Sequence, residues 1–349
     1  MKGKKILDFY YPPIACSPEI SIPLSIILNK KEGWYWFYNN YILLKGNYIN
    51  GKLFHLTFTC SDYSRKCPLI MESPIERKLF SQLGDLNDLF TKLINNGYYI
   101  KLFIDRYYLA EWYGIKMHSI HDLILYGYDH GAGTYCLADY FKKGKYAFET
   151  VKQTDLIKAY DGVSYAFLPA WMDSYFPGNV YLLKYKKCNY RFSIDLFLKL
   201  ISDYYDSKYT SGDFYELIGM KNEKTVFGLA VCDMLIEYIE RVINHKAIET
   251  VKQFHVFYNH KIALCLCLEF LIKKKYIKDA YGILSSFEEI KKETLVIENL
   301  FIKYCLSKNN KNLYDIITLL EKIKKDEKET IRKIMDSVKA PVQIEDPVS

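Results

Sequence analysis

The sequence lacks the cysteine spacing that metal-binding and disulfide-rich proteins show. Its nine cysteines are odd in number and scattered along 349 residues, and no two of them form a Cys-x-x-Cys pair. A zinc site or a disulfide framework is therefore not expected, and a reducing, cytoplasmic location is the default. We predict no metal and no other cofactor.

Long apolar runs and a concentrated basic segment are also missing. No apolar run reaches the length of a bilayer, and the basic start MKGKK is soon followed by Asp8, unlike a signal peptide. The net charge of +7 is spread evenly, because residues 1–180 carry 20 basic and 17 acidic side chains and the remainder carries 28 and 24. We therefore predict neither a membrane nor a nucleic acid as partner, while the mild positive charge favours an acidic protein.

Hydrophobic residues are abundant, at half of the chain, and they include 33 Tyr and 20 Phe. This composition predicts a folded protein with a large core. Aromatic side chains can also stack on nucleic-acid bases, but base-stacking surfaces combine them with basic clusters, which this sequence does not interleave. We interpret the aromatic residues as core.

The pattern of hydrophobic residues changes near residues 187–192. Residues 1–187 mix strand and helix patterns, whereas helical periodicity dominates residues 188–338. We predict an α+β domain, an all-helical domain, and a disordered tail over residues 339–349, which have two prolines and no periodicity. The helices predicted after the boundary cover about 222–246, 248–275, 277–289, 291–307 and 311–337.

The stretch 118–139, HSIHDLILYGYDHGAGTYCLAD, predicts a β-hairpin that carries chemistry. Two short apolar runs are separated by Gly/Asp clusters at 127–129 and 131–133, which we interpret as turns. A hairpin with His121 at one end and Asp139 at the other can bring the two side chains together. A carboxylate beside an imidazole orients it as a general base.

Cys16 is the candidate nucleophile for this pair. Ser17 suits an N-cap and Pro18 suits the first helical position, so Cys16 is predicted to lie just before a helix N-terminus, where the helix dipole lowers a thiol pKa. Pro23 would kink or delay that helix. The alternative is that Cys16 is one more small buried hydrophobic residue.

Other reactive side chains are interpreted as structural. His118 and His121 form an HxxH pattern, but strand residues three apart face opposite sides, which argues against shared metal binding. Asp122 is expected to point away from His121, and Asp129 and His130 are expected to be solvated in the turn. A second group of histidines and cysteines lacks the helical spacing that metal ligands need, and we interpret its members as packing residues. They are His245, His255, His260, Cys265 and Cys267.

The hairpin motif HDLILYGYD at 121–129, with Asp139 at the end of the next strand, resembles the C39-like group of papain-like cysteine proteases. This group includes the N-terminal domain of the butirosin-biosynthesis acyltransferase. The resemblance covers roughly residues 8–165 and implies a papain-like fold. It assigns Cys16 as nucleophile, His121 as base and Asp139 as the orienting residue.

The resemblance implies an acyltransferase or amide synthase of nonribosomal, thiotemplated antibiotic biosynthesis. Such an enzyme moves an acyl group from an acyl or peptidyl carrier-protein thioester, through a cysteine acyl-enzyme, to an amine. We expect the helical domain to dock the carrier protein or to form a homodimer. The alternatives are a cysteine peptidase of C39-like type and a non-catalytic binding scaffold.

One departure from the family concerns the oxyanion. Related peptidases carry a Gln shortly before the nucleophile, whereas the stretch 8–13 here reads DFYYPP. Loss of one oxyanion donor costs about a hundredfold in rate. Tyr10, Tyr11 or backbone N–H groups at the helix start would have to substitute, and thioester exchange needs less of this help than amide cleavage does.

Overall fold

A computed structural model describes residues 3–49, 51–60, 67–168, 176–210, 225–278 and 282–338. The protein mixes helix and sheet, as the predicted α+β class requires. The strands are β1 Lys4–Ile6, β2 Leu44–Ile49, β3 Leu53–Phe58, β4 Ile70–Glu76, β5 Tyr99–Asp105, β6 Ile120–Asp129, β7 Thr134–Tyr140, β8 Tyr146–Lys152, β9 Asn179–Tyr185 and β10 Val226–Phe227. The described α-helices are α1 Pro18–Ile27, α2 Lys31–Asn40, α3 Arg77–Gln82, α4 Leu86–Asn95, α5 Ala110–Tyr113, α6 Gln153–Asp161, α7 Ile194–Tyr205, α8 Ala230–Ile243, α9 Lys252–Lys273, α10 Ile283–Ser307 and α11 Lys311–Ser337.

The chain forms two compact units. The first comprises Met1–Trp34 and Tyr63–Tyr190, and the second comprises Tyr35–Asp62 and Arg191–Ser349. The predicted first domain, residues 1–187, therefore differs from the first unit mainly in one internal segment, which contributes to the second unit. The predicted tail at 339–349 lies outside the described residues.

The first unit is built on one antiparallel sheet. Its strand order is β4-β9-β5-β6-β7-β8, and β1 pairs with β6. Leu123, Leu125 and Leu137 belong to a core that also includes residues of α4 and α6. Side chains alternate across a strand, so Tyr140 lies on the face opposite Leu137 and Asp139. Helix α1 packs on that opposite face, where the Ser21 hydroxyl lies 2.5 Å from the Tyr140 hydroxyl.

Gly127 lies within β6 and not in a turn, contrary to the sequence interpretation. The register of β6 against β7 shifts between Leu125 and Gly127, which marks a β-bulge. β1 crosses at this point so closely that a Cβ atom on Gly127 would lie 2.9 Å from the Lys5 carbonyl oxygen. Gly127 is required because another backbone approaches closely at this point. In the sequence, such a glycine looks the same as a glycine that marks a turn.

Helix α1 begins where the sequence places it. Ser17 is the N-cap residue and Pro18 occupies the first helical position, although the Ser17 side chain makes no capping hydrogen bond. Pro23 lies inside the helix without ending it. Most of α1 is buried, and tertiary packing therefore outweighs the backbone hydrogen bond that a proline removes.

The second unit is not all-helical, and this corrects the sequence prediction. It contains a three-stranded sheet of order β10-β2-β3 beside its helices. The Phe54 ring of β3 lies 5.6 Å from the Tyr238 ring of α8, and the Gln253 side chain of α9 donates to the Phe54 carbonyl. These contacts join the early strands to helices about 180 to 200 residues later, which a local pattern cannot reveal.

Helix α9 is the one described helix that is long and apolar enough to cross a membrane. Of its most apolar window, 61% is buried inside the protein. It also carries Lys261, which is fully buried and ion-paired with Glu327 of α11 at 2.6 Å. Burial and an internal ion pair are typical of the core helix of a soluble protein.

Candidate active site

His121 and Asp139 lie on one face of the sheet at one end of the β6–β7 hairpin. Ile124 pairs with Ala138, so His121 and Asp139 fall on the same side of their strands. The His121 Nδ1 atom is 3.0 Å from Asp139 Oδ2. The structure thus brings together the two residues that the sequence suggested as base and orienting group.

The surroundings of His121 fix which ring nitrogen carries a proton. Nδ1 lies near two acceptors, Asp139 Oδ2 and the Asp122 carbonyl oxygen, the latter at 2.8 Å. Nδ1 therefore carries the hydrogen, and in the neutral ring Nε2 keeps its lone pair. No described residue hydrogen-bonds to Nε2. A general base needs this tautomer.

The pKa of His121 is strongly raised. Burial by itself lowers the pKa, but the charge and hydrogen bond of Asp139 and the charge of Asp122 outweigh burial and raise it to about 9. Arg106 opposes them weakly. His121 is therefore an imidazolium at neutral pH, which can stabilise a neighbouring thiolate.

Tyr113 is a third member of this group that the sequence did not single out. Its hydroxyl donates to Asp139 Oδ2 from helix α5. Burial and the charge of Asp139 raise its pKa well above 10, so it stays protonated and remains a donor. Nothing in the local sequence distinguishes Tyr113 from the other tyrosines.

Cys16 lies immediately before helix α1 and is 5% exposed. Tyr140, the residue after Asp139, lies near Cys16, because burial and then the electrostatic interaction with Cys16 raise the pKa of Tyr140. The Ser21 hydroxyl, one turn into α1, contacts Tyr140 directly. The start of α1 therefore lies beside the end of β7, on the face that carries Tyr140 and opposite the face that carries His121 and Asp139.

The two tyrosines suggested as oxyanion donors lie in different surroundings. Tyr11 is 54% exposed and its hydroxyl donates to the Tyr146 carbonyl oxygen at 3.1 Å. A phenol has one proton, so Tyr11 is not free to donate to an oxyanion in this conformation. The Tyr10 ring packs edge-on against Trp34 at 6.3 Å.

The Asp122 carboxylate is directed mainly toward another residue. Its Oδ2 atom lies 2.8 Å from Lys101 Nζ, and its Oδ1 atom lies 3.8 Å from His121 Nδ1. The charge of Lys101 overcomes burial and lowers the pKa of Asp122, which is therefore ionised. Asp122 thus contacts His121 through its backbone oxygen and Lys101 through its side chain.

His118 does not act with His121. Its Nδ1 atom lies 2.5 Å from Asp105 Oδ2, and its ring is stacked between Tyr107 and Phe167 at 4.3 and 4.6 Å. Asp105 also accepts from the backbone N–H of Ser119. The pair therefore joins the end of β5 to the start of β6.

His130 is engaged by side chains, contrary to the expectation that it is solvated. Its Nε2 atom lies 3.0 Å from the Thr91 hydroxyl and its Nδ1 atom lies 3.0 Å from the Gln153 amide nitrogen. The hairpin tip is thereby held against α4 and α6. In the described part of the chain, no group of three His, Cys, Asp or Glu side chains is placed to hold a metal ion.

Comparison with known protein families gives no matching family, and a search of curated proteins gives no relative.

Proposed function

We propose that the first unit is a papain-like acyltransferase of C39-like type with Cys16, His121 and Asp139 as its triad. The observation that carries this proposal is the His121–Asp139 hydrogen bond of 3.0 Å with Nδ1 as the donor. Helix α1, whose N-cap residue Ser17 follows Cys16, lies beside this end of β7 through the contact between Ser21 and Tyr140. That contact is on the face opposite Asp139, so the proposal requires the Cys16 thiol to reach His121 around the end of the strand. The Tyr113 hydroxyl donates to the same oxygen of Asp139, Oδ2, and holds this carboxylate in place.

The proposed reaction uses His121 first as an acid and then as a base. The Cys16 thiolate attacks the thioester carbonyl, and the departing thiolate takes the proton of the His121 imidazolium. The acyl-enzyme is then attacked by an amine, whose proton passes to the neutral Nε2 atom of His121. An amide is released, and the thiolate–imidazolium pair is restored with no external oxidant or reductant.

The proposed acyl donor is a carrier-protein thioester in the cytoplasm, and the proposed acceptor is an amine, as in nonribosomal natural-product assembly. A net charge of +7 favours association with an acidic protein such as a carrier domain. Since Tyr11 is engaged by Tyr146, backbone N–H groups at the start of α1 or Tyr10 would stabilise the oxyanion. Thioester exchange tolerates this weaker arrangement better than peptide hydrolysis does.

The test is the intact mass of the protein after incubation with an acyl-loaded carrier protein or the matching N-acetylcysteamine thioester. We expect one acyl adduct on the wild type, none on Cys16→Ala, and transfer of the acyl group when an amine is added. His121→Ala should slow adduct formation by roughly 10²–10⁴-fold. Cys136→Ala is the matched control, because Cys136 is 6% exposed on neighbouring β7 and should be dispensable.

The outcomes separate the three functions. An acyl adduct that water hydrolyses but amines do not accept, together with cleavage of peptide substrates, would indicate a peptidase. If no adduct forms and iodoacetamide labels Cys16 no faster than an ordinary thiol, both enzymatic functions are excluded. A binding scaffold would then remain.

A further inference from the structure

Two buried carboxylates, and not one, flank the same nitrogen of His121. Asp139 Oδ2 lies 3.0 Å and Asp122 Oδ1 lies 3.8 Å from Nδ1. Both aspartates are buried, with 2% and 7% of their surface exposed. Two such charges compete for one cation, and an imidazole drawn toward Asp122 would turn away from Asp139.

Lys101 occupies the position that resolves this competition. It lies on β5 opposite Ile124, which makes Asp122 its diagonal neighbour on the same face of the sheet. Its Nζ atom is 2.8 Å from Asp122 Oδ2, and the rings of Phe103 and Tyr181 lie 5.8 Å from that nitrogen. A mostly buried lysine that lies near two aromatic rings and is paired with a buried carboxylate has a defined position.

We propose that Lys101 is a positioning residue that holds the Asp122 carboxylate, so that Asp139 alone orients the His121 ring for acyl transfer. The kinetic part of this inference rests on the proposed function, whereas the effect on His121 does not. The other groups that face this set are Arg106 and Tyr113 near His121, and Glu19 of α1 and Glu72 of β4 near Lys101. Glu19 and Glu72 reinforce the positive charge of Lys101, since with Asp122 they raise its pKa against the effect of burial.

The structure predicts what removal of Lys101 does. Asp122 would keep its charge with the imidazolium as its nearest cation, which strengthens the attraction between them. The pKa of His121 would rise further, and the ring would be shared between two carboxylates. Removal of the Asp122 charge instead should lower the pKa of His121, because one of its two anionic neighbours is lost.

The test is a double-mutant cycle of Lys101→Met, Asp122→Asn and the double variant, with the His121 pKa measured by NMR titration of the imidazole resonances. His121→Ala identifies the resonance. We expect Lys101→Met to raise and Asp122→Asn to lower the pKa by about one unit each. In the double variant and in Lys101→Arg, the pKa of His121 should lie close to its wild-type value. In acyl-transfer assays, Lys101→Met should lower kcat roughly tenfold with little change in KM. The double variant should have a kcat close to that of the wild type.

Several results would contradict the inference. An unchanged His121 pKa in Lys101→Met, or a double variant as slow as the single one, would make Lys101 a purely structural residue. If Lys101→Met does not fold, Asp122→Asn still tests the inference. A His121 pKa that stays at the wild-type value in this variant would show that Asp122 and His121 are not coupled. If the pKa values respond as expected but the wild type forms no acyl-enzyme, the proposed function fails and the electrostatic coupling stands.

Discussion

At the scale of single residues, the protonation of His121 depends on groups from several elements. Asp139 and Asp122 favour the imidazolium, whereas burial and Arg106 oppose it. The net effect is a cation held in a partly buried position, with 27% of its side chain exposed. A cation that is stabilised in the folded state links folding to pH.

His121 should therefore make the stability of the protein fall as the pH rises. Its folded-state pKa of about 9 lies above the ordinary value of 6.5, so its contribution is complete below about pH 6.5 and is lost as the pH rises through 9. The loss should amount to about 3 kcal/mol. Urea denaturation between pH 6 and pH 9.5 measures it.

Asp139→Asn is the control for this pH dependence. It keeps the shape of the side chain but removes the main charge that raises the His121 pKa, so its stability should change much less over the same range. A pH slope equal to that of the wild type would show that another group is responsible.

The sequence could predict the pairing of His121 with Asp139 because the pairing depends on one hairpin. It could not predict Tyr113, which reaches Asp139 from a four-residue helix. Nor could it predict Lys101, whose contact with Asp122 follows from the register of β5 against β6. Contacts within a hairpin are encoded locally, whereas contacts between strands of different hairpins are not.

At the scale of elements, helices α9 and α11 are joined by the buried pair Lys261–Glu327. Lys261 Nζ also donates to the Tyr204 hydroxyl of α7 at 3.1 Å, and both charged side chains are fully buried. A buried pair contributes little net stability compared with apolar residues, but loss of one partner leaves an uncompensated charge in the core.

Lys261→Met should therefore destabilise the protein by about 3–5 kcal/mol. The double variant Lys261→Met, Glu327→Leu should recover most of the loss, because no charge remains buried. Chemical denaturation of the wild type and both variants measures the difference. A double variant no more stable than the single one would show that packing, and not charge, determines the cost.

Element boundaries show where local patterns mislead. The sequence predicts two helices at 277–289 and 291–307, whereas the structure has the single helix α10, Ile283–Ser307. No proline or glycine interrupts 283–307, so the helix continues. The predicted helix 311–337 agrees with α11, Lys311–Ser337, because its apolar stripe is regular.

At the scale of the whole molecule, the segment Tyr35–Asp62 has its partners in the second unit. β2 pairs with β10, and the Ile42 carbonyl oxygen lies 2.7 Å from Nε2 of the buried His260. The predicted boundary near residue 187 lies close to the observed division at Tyr190, but the prediction leaves the segment Tyr35–Asp62 in the first domain. A change in composition marks where a chain passes from one unit to another, but long-range pairing leaves no such mark.

A chain that ends at residue 187 should consequently expose the apolar face of β2 and β3. Leu43, Phe54 and Phe58 are buried in the full protein and would lose their partners. We expect strong binding of the dye ANS and aggregation on size-exclusion chromatography. A second truncated chain, with residues 35–62 replaced by a flexible Gly/Ser linker, should bind less dye. Equal dye binding by the two would contradict the assignment of this segment.

The same segment has a consequence for synthesis on the ribosome. β2 and β3 leave the exit tunnel early, but α8 and α9, which cover them, follow only after residue 230. At ~5–20 residues per second, the strands wait roughly ten to forty seconds for these helices. During that interval no helix covers this apolar hairpin, which makes it a substrate for the chaperones that bind nascent chains.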